Sequence, residues 1–123
     1  VGVFLSVHEG PQRISKAPST VALRPGMIVS NEPGYYRDGA FGMRCENLQV
    51  VRESEIACET PMLEFETLSL APFDTRLLAP ALLAPDELKW LNDYHARVND
   101  ALAPLLDDAD RDWLDQATAV VCH

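Results

Sequence analysis

The segment GMIVSNEPGYYRDGAFGMRCENLQVV, residues 26–51, constrains the fold of this 123-residue chain more than any other. It contains two apolar, strand-like runs, and one glutamate lies in each of them, Glu32 in the first and Glu46 in the second. An ionised carboxylate in a buried strand is costly to desolvate unless a positive charge lies against it. Because few cationic side chains lie nearby, the two glutamates predict a site for divalent metal.

Four strand-like runs are predicted in the first part of the chain, at residues 3–7, 27–32, 42–52 and 63–71. Turns with Gly and Pro join them, which favours a curved antiparallel sheet. The first run leads directly into His8 and a Glu-Gly-Pro turn. A histidine and two glutamates are therefore expected at strand ends.

The later part of the chain has helical periodicity. A helix is predicted from Pro85 to about Ala103, with acidic residues in its first turn and an apolar stripe made of Leu88, Leu91, His95, Val98 and Leu102. A core histidine is the expected state of the histidine in that stripe. A second helix is predicted from an Asp107 N-cap, with one packed side made of Trp113, Leu114 and Ala117. The predicted fold class is α+β, with one region at residues 1–73 and a helical extension at 74–123.

The net charge restricts the molecules that this protein can bind, and the cysteines indicate its compartment. Ten basic and nineteen acidic side chains give a net charge of −9, which disfavours nucleic acids and anionic membrane surfaces. No apolar run approaches the roughly 20 residues that span a bilayer. Cys45, Cys58 and Cys122 form no CxxC pair, which predicts reduced, mostly buried thiols in a cytoplasmic protein.

Three motifs resemble the pita-bread metallopeptidases, and within them the Xaa-Pro aminopeptidases (aminopeptidase P). They are GVFLSVHEGP, PGMIVSNEPGYY and DGAFGMRCENLQVV, in the order and nearly at the spacing of that family, and FETLSLAPFD follows them as in the longer aminopeptidase P enzymes. The resemblance covers almost the whole chain and is looser near its C-terminus. It implies the C-terminal part of a pita-bread catalytic domain, followed by two helices.

The resemblance also implies the roles of five residues. Glu32 and Glu46 would be ligands of two divalent ions, with Glu46 bridging both and Glu32 also accepting a proton from the nucleophilic water. His8 would bind the substrate and the developing oxyanion. Arg44 and Tyr36 would belong to a network that orients the ligands. Mn²⁺ is the expected metal because the ligands are oxygen atoms, with Zn²⁺ and Co²⁺ as alternatives.

The resemblance implies further ligands upstream of Val1, a histidine in a Gly-His-Gly motif and two aspartates. The chain is therefore expected to be a fragment, and inactive by itself. The parent enzyme is expected to remove the N-terminal residue from peptides with proline in the second position, as a homodimer. The functional alternatives are a non-catalytic pita-bread homologue, a C-terminal dimerisation module and, within the family, a prolidase.

Structural alternatives remain open for the site residues. Glu32 could form a salt bridge with Arg37, and Glu46 could form one with Arg44, which shares its strand face. Tyr36 could simply pack in the sheet. Cys45 is expected to point away from the face of Glu46 and to have a packing role.

Overall fold

A computed structural model describes residues 10–122, so the predicted strand at 3–7 and His8 lie outside the described residues. The chain divides into two compact units, the first ending at Ser69 and the second beginning at Leu70. Antiparallel strands form the first unit and two helices dominate the second, which confirms the predicted α+β class. The boundary predicted after residue 73 stays a prediction.

Five strands are described in the first unit. Two sheets contain them, a three-stranded sheet in the order β1-β4-β5 and a two-stranded sheet of β2 and β3, with every pair antiparallel. The strands are β1 (Ile28–Asn31), β2 (Gly34–Arg37), β3 (Phe41–Arg44), β4 (Asn47–Glu53) and β5 (Leu63–Thr67).

The two sheets share one long hairpin. Asn31 pairs with Asn47 in the first sheet, and Gly34 pairs with Arg44 in the second. Two residues lie between these pairs on each side of the hairpin, so a single register runs through both ladders. The hairpin turns at Gly39, whose φ of 65° is a left-handed conformation that glycine adopts without strain.

A short gap separates the two ladders of this hairpin, and it divides the strand predicted at 42–52. Pro33 lies in the gap and has no N–H group to donate to the ladder. One hydrogen bond remains there, from the Cys45 N–H to the Pro33 carbonyl at 3.1 Å. The sequence prediction also lacks β2, because a Pro-Gly pair ordinarily indicates the end of a strand.

The strand predicted at 63–71 ends earlier, at Thr67. The Leu68 N–H still donates to the Leu48 carbonyl at 2.8 Å. The Leu48 N–H, however, donates to the side-chain hydroxyl of Ser69 at 2.9 Å. A side chain thus takes the place of the next backbone partner, and the ladder stops. Val29 and Val51 are the buried apolar residues in the described part of this unit.

Two helices, α1 (Pro85–Leu102) and α2 (Asp108–Ala117), form the second unit, with 3₁₀ turns at Thr75–Leu77, Pro80–Leu82 and Ala103–Leu105. Both predicted helix starts are confirmed. Pro85 is the first residue of α1, and Glu87 accepts a hydrogen bond from the Ala84 N–H at 2.8 Å. Asp107 caps α2 by accepting from the Asp110 N–H at 3.0 Å.

The core of the helical unit contains Tyr94, Val98 and Leu114. The predicted stripe is confirmed at Leu91, His95 and Val98, which are buried. Tyr94 was missed; it is buried because its hydroxyl donates to the Ala71 carbonyl at 2.8 Å, which satisfies its polar end.

One expected packing residue of α2 is placed differently. Trp113 was predicted on the packed side of the helix, yet it is 61% exposed, whereas Leu114 is 1% exposed. Successive residues of a helix point about 100° apart, so α2 can bury only one of these two neighbours against α1. Among the described residues, neither helix combines the length and the apolar content that a membrane crossing requires.

Candidate metal centre

Glu32 and Glu46 lie directly opposite each other in the gap of the hairpin. The residue before Glu32 pairs with the residue after Glu46, Asn31 with Asn47, and the register continues unchanged beyond the gap. In an antiparallel pair, residues at opposed positions share one face of the sheet and have Cβ atoms roughly 5 Å apart. The hairpin register therefore brings the two predicted metal ligands together.

Arg44 lies between the two carboxylates. Its Nη1 atom is 2.9 Å from Glu32 Oε2 and 3.9 Å from Glu46 Oε2. Its Nε atom donates to the hydroxyl of Tyr36. The predicted link between Arg44 and Glu46 is present, but the partner of Glu32 is Arg44 and not Arg37. The network implied for Arg44 and Tyr36 exists in the structure, while its task stays a prediction.

Ser30 is a member of this cluster that the sequence interpretation missed. Its Oγ donates to Glu32 Oε1 at 2.8 Å, so both oxygens of Glu32 have partners. In an extended segment, a serine two residues before the glutamate lies on the same face, and that spacing is the signal in the sequence. Ser30 and Arg44 together fix the orientation of the Glu32 carboxylate.

The two carboxylates are less buried than expected. The Glu32 side chain is 33% exposed and the Glu46 side chain is 45% exposed, so the expected burial of the two carboxylates is not found among the described residues. Each glutamate lies just beyond a strand end rather than within a strand. The cost of desolvation is correspondingly smaller than the sequence suggested.

The electrostatics of the cluster favour cations. The hydrogen bond to Tyr36, followed by electrostatic attraction to Tyr36 and Glu32, raises the pKa of the Arg44 guanidinium above its ordinary value. Two carboxylates and one guanidinium leave a net negative charge. Carboxylate oxygens are the ligands that hard divalent cations such as Mn²⁺ prefer, so this donor set fits the implied metal.

The described residues supply only two of the predicted metal ligands. Within residues 10–122, no group of three or more His, Cys, Asp or Glu side chains is arranged to hold a metal ion. Glu32 and Glu46 are thus a pair, and His8 lies outside the described residues. The buried thiols that were expected are also not found, since Cys45, Cys58 and Cys122 are free and exposed. A packing role for Cys45 is therefore wrong in this chain.

Two family models match the chain. "Metallopeptidase family M24" matches residues 1–53, and "C-terminal region of peptidase M24" matches residues 61–121. Together they cover most of the chain, which belongs to metallopeptidase family M24. The family predicted from the three motifs is confirmed.

Similar proteins within this class carry the name aminopeptidase P. "Aminopeptidase P1" of Lotus japonicus is 46% identical over 98% of this chain and 19% of its own length. "Probable Xaa-Pro aminopeptidase P" of Coprinopsis cinerea is 43% identical over 98% of this chain and 21% of its own length. The predicted resemblance to the Xaa-Pro aminopeptidases is confirmed.

A solved structure has the same fold. The X-prolyl aminopeptidase from Caenorhabditis elegans, described as a cytosolic enzyme with a di-nuclear active site, matches with a TM-score of 0.83 at 32% identity. The match covers 96% of this chain and 20% of that protein. The predicted C-terminal part of a pita-bread domain with two helices is confirmed. The chain spans about a fifth of the length of the relatives that it matches.

Proposed function

We propose that this chain forms the C-terminal part of a metal-dependent Xaa-Pro aminopeptidase, which removes the N-terminal residue from peptides with proline in the second position. The observation that carries the proposal is the opposed pair of Glu32 and Glu46, joined by Arg44, in a chain similar to aminopeptidase P over 98% of its length. The names of the relatives favour an aminopeptidase over a prolidase. The presence of both carboxylates disfavours a non-catalytic homologue.

Glu32 and Glu46 are the proposed metal ligands in this chain. They would bind two divalent ions, with Glu46 shared between them, and the di-nuclear site of the C. elegans relative supports this number. Oxygen ligation favours Mn²⁺, with Zn²⁺ and Co²⁺ as alternatives. When bound, the ions supply a water activated for attack on the carbonyl carbon that precedes proline. The remaining ligands would come from the rest of a longer protein.

The protein side chains would orient groups and move protons. Glu32, held by Ser30 and Arg44, would accept the proton of the attacking water. His8 would hydrogen-bond the substrate carbonyl as negative charge develops on its oxygen. Arg44 and Tyr36 would keep both carboxylates in place, as the partners of metal ligands commonly do.

The proposed setting is a cytoplasmic homodimer that acts on peptides. A net charge of −9 opposes contact with nucleic acids or anionic membranes, which supports peptides as the substrate class. The cytosolic description of the C. elegans relative supports the compartment. Exposed aromatic and apolar residues on the helical unit support a subunit interface there, among them Leu77, Trp90 and Trp113.

The full-length protein tests the function directly. We expect it to release the first residue from a tripeptide with proline in the second position, to lose that activity with EDTA and to regain it with Mn²⁺. The matched tripeptide with alanine second should be a poor substrate, and an Xaa-Pro dipeptide cleaved in preference to the tripeptide would indicate a prolidase. Equal cleavage of the proline and alanine tripeptides, or cleavage that resists EDTA, would contradict the proposal.

A further inference from the structure

The ring of Tyr36 lies over two glycines on the hairpin face that carries the candidate metal ligands. A Cβ atom at Gly34 would lie 2.8 Å from the Tyr36 hydroxyl oxygen and 2.9 Å from Cε2. A Cβ atom at Gly42 would lie 2.7 Å from Tyr36 Cδ1. These distances are shorter than carbon atoms tolerate without contact strain, so the ring can occupy this position only because both residues lack a side chain.

The reason for glycine at these two positions is space and not backbone conformation. Gly34 begins β2 and Gly42 lies within β3, and neither has a φ in the left-handed region. Gly39 in the same hairpin is the opposite case, since its φ is 65° and a Cβ atom there would meet nothing within 4 Å. Alanine at 34 or 42 is therefore compatible with the strand but not with the ring.

The Tyr36 side chain contacts Arg44. The Tyr36 hydroxyl accepts from Arg44 Nε, and Arg44 Cζ lies 5.8 Å from the centroid of the ring. The same guanidinium reaches Glu32 at 2.9 Å and Glu46 at 3.9 Å. A flexible arginine side chain loses rotamer entropy when it is held in one geometry, and the ring supplies the hydrogen bond and the face that hold it.

We propose that Gly34 and Gly42 are positioning residues of the candidate metal centre. They leave the space that the Tyr36 ring occupies, and through that ring they hold Arg44 between the two carboxylates. This inference deepens the proposed function and rests on it for its purpose in catalysis. The arrangement itself can be tested without metal or substrate.

A double-mutant cycle tests the contact between position 42 and the Tyr36 ring. We expect Gly42→Ala to lower the urea midpoint of the chain, and Tyr36→Ala to remove more than half of that loss, because it removes the atoms with which the new Cβ collides. Tyr35→Ala is the matched control, since it truncates the neighbouring ring on the other face and should give no rescue. Gly39→Ala should cost the same in either background. A Gly42→Ala loss that Tyr36→Ala leaves unchanged would overturn the proposal.

The Arg44 Nε–H signal, observed by NMR and assigned with Arg44→Lys, tests the second step. Its exchange with water should be slow in the parent chain and in Gly39→Ala. It should be fast in Gly34→Ala and in Tyr36→Phe, which retains the ring but loses the hydroxyl. Gly34→Ala is the milder variant, because the nearest atom is the movable end of the tyrosine, and it keeps the test available if Gly42→Ala does not fold.

The outcomes separate this inference from the proposed function. Slow Arg44 exchange in Gly34→Ala would overturn the positioning role whether or not the protein binds metal. Rescue by Tyr36→Ala together with fast exchange in Gly34→Ala would support it, even if the full-length protein failed to bind Mn²⁺. That failure would count against the proposed metal site alone.

Discussion

At the residue scale, the candidate site contains two opposed carboxylates and the Arg44 guanidinium that lies between them. Like charges directly opposite each other on an antiparallel pair are destabilising, and Arg44 offsets this repulsion between Glu32 and Glu46. Both glutamates remain partly exposed, so the stabilisation from these ion pairs is small. The arrangement therefore contributes little to the stability of the fold.

Replacement of Glu46 by glutamine in the full-length protein tests the ligand assignment. We expect Glu46→Gln to lose both bound metals, because the carboxylate shared between them is removed. Activity on Xaa-Pro peptides should fall by more than roughly 100-fold, the upper end of the effect of losing a group that only supports a ligand. Elemental analysis and hydrolysis assays measure the two effects. Glu53→Gln, at an exposed position of β4, is the control and should retain both. Two metals per chain in Glu46→Gln would contradict the assignment.

At the element scale, α1 derives its stability from one buried face. Leu91, Tyr94, His95 and Val98 are its buried residues, and Tyr94 also packs against Phe73 with ring centroids 5.4 Å apart. An amphipathic helix in a protein is stabilised mainly by this kind of packing.

A charge placed in the α1 core should destabilise the helical unit. Val98 is fully buried, so we expect Val98→Asp to lower the free energy of unfolding by about 3 kcal/mol or more, because a carboxylate there has no partner. Ala96→Asp is the matched control, since that residue of α1 is exposed and the same charge meets water. Thermal melting followed by circular dichroism compares the two. Equal melting temperatures would show that the face is not packed in solution.

Acid should weaken the same unit through His95. The ring is fully buried, its Nε2 accepts from the Phe73 N–H at 3.1 Å, and its Nδ1 has no hydrogen-bond partner among the described residues. The accepted hydrogen bond places the single proton of the neutral ring on Nδ1. Burial lowers the pKa of His95 below its ordinary value of 6.5.

The sign of the pH effect follows from that shift. Below about pH 6.5 the unfolded chain binds a proton that the folded chain resists, so the free energy of unfolding falls as pH drops toward the folded pKa. We expect the urea midpoint to decrease from pH 7.5 to pH 5.5, and to decrease less in His95→Gln. The pKa of Asp74 is lowered to about 2 by Arg76, so its contribution is lost only at lower pH. A midpoint equally sensitive to pH in both proteins would exclude His95 as the cause.

At the scale of the whole molecule, the chain contains two of the proposed metal ligands and spans about a fifth of the length of its relatives. The described residues place two carboxylates together and no third ligand of the His, Cys, Asp or Glu type beside them. Two carboxylates leave each divalent ion short of protein ligands. The chain and the full-length protein should therefore differ sharply in activity.

We expect the 123-residue chain to have no catalytic activity on Xaa-Pro peptides, even in excess Mn²⁺. We expect no release of the first residue above the buffer rate, and only weak Mn²⁺ binding by calorimetry. The full-length protein under the same conditions is the positive control. Metal-dependent release by the chain alone would show that its site is more complete than two carboxylates imply.

Local patterns in the sequence predicted much of this molecule. The start of α1 at Pro85, the Asp107 cap of α2 and most of the buried stripe follow from spacing and capping chemistry, which act within a few residues. The two candidate ligands and Arg44 were identified from motifs. Those motifs could name the side chains but not the distances between them.

Tertiary structure decided what depends on register and on neighbours distant in sequence. Only the hairpin register places Glu32 opposite Glu46. The same register brings Arg44 within reach of both carboxylates, although Arg37 is nearer to Glu32 in the sequence. Only three-dimensional packing shows that Trp113 is exposed, and that the Tyr36 ring needs glycine beneath it. Periodicity reports which side of an element a residue occupies, whereas exposure and contact depend on what the rest of the fold brings against that side.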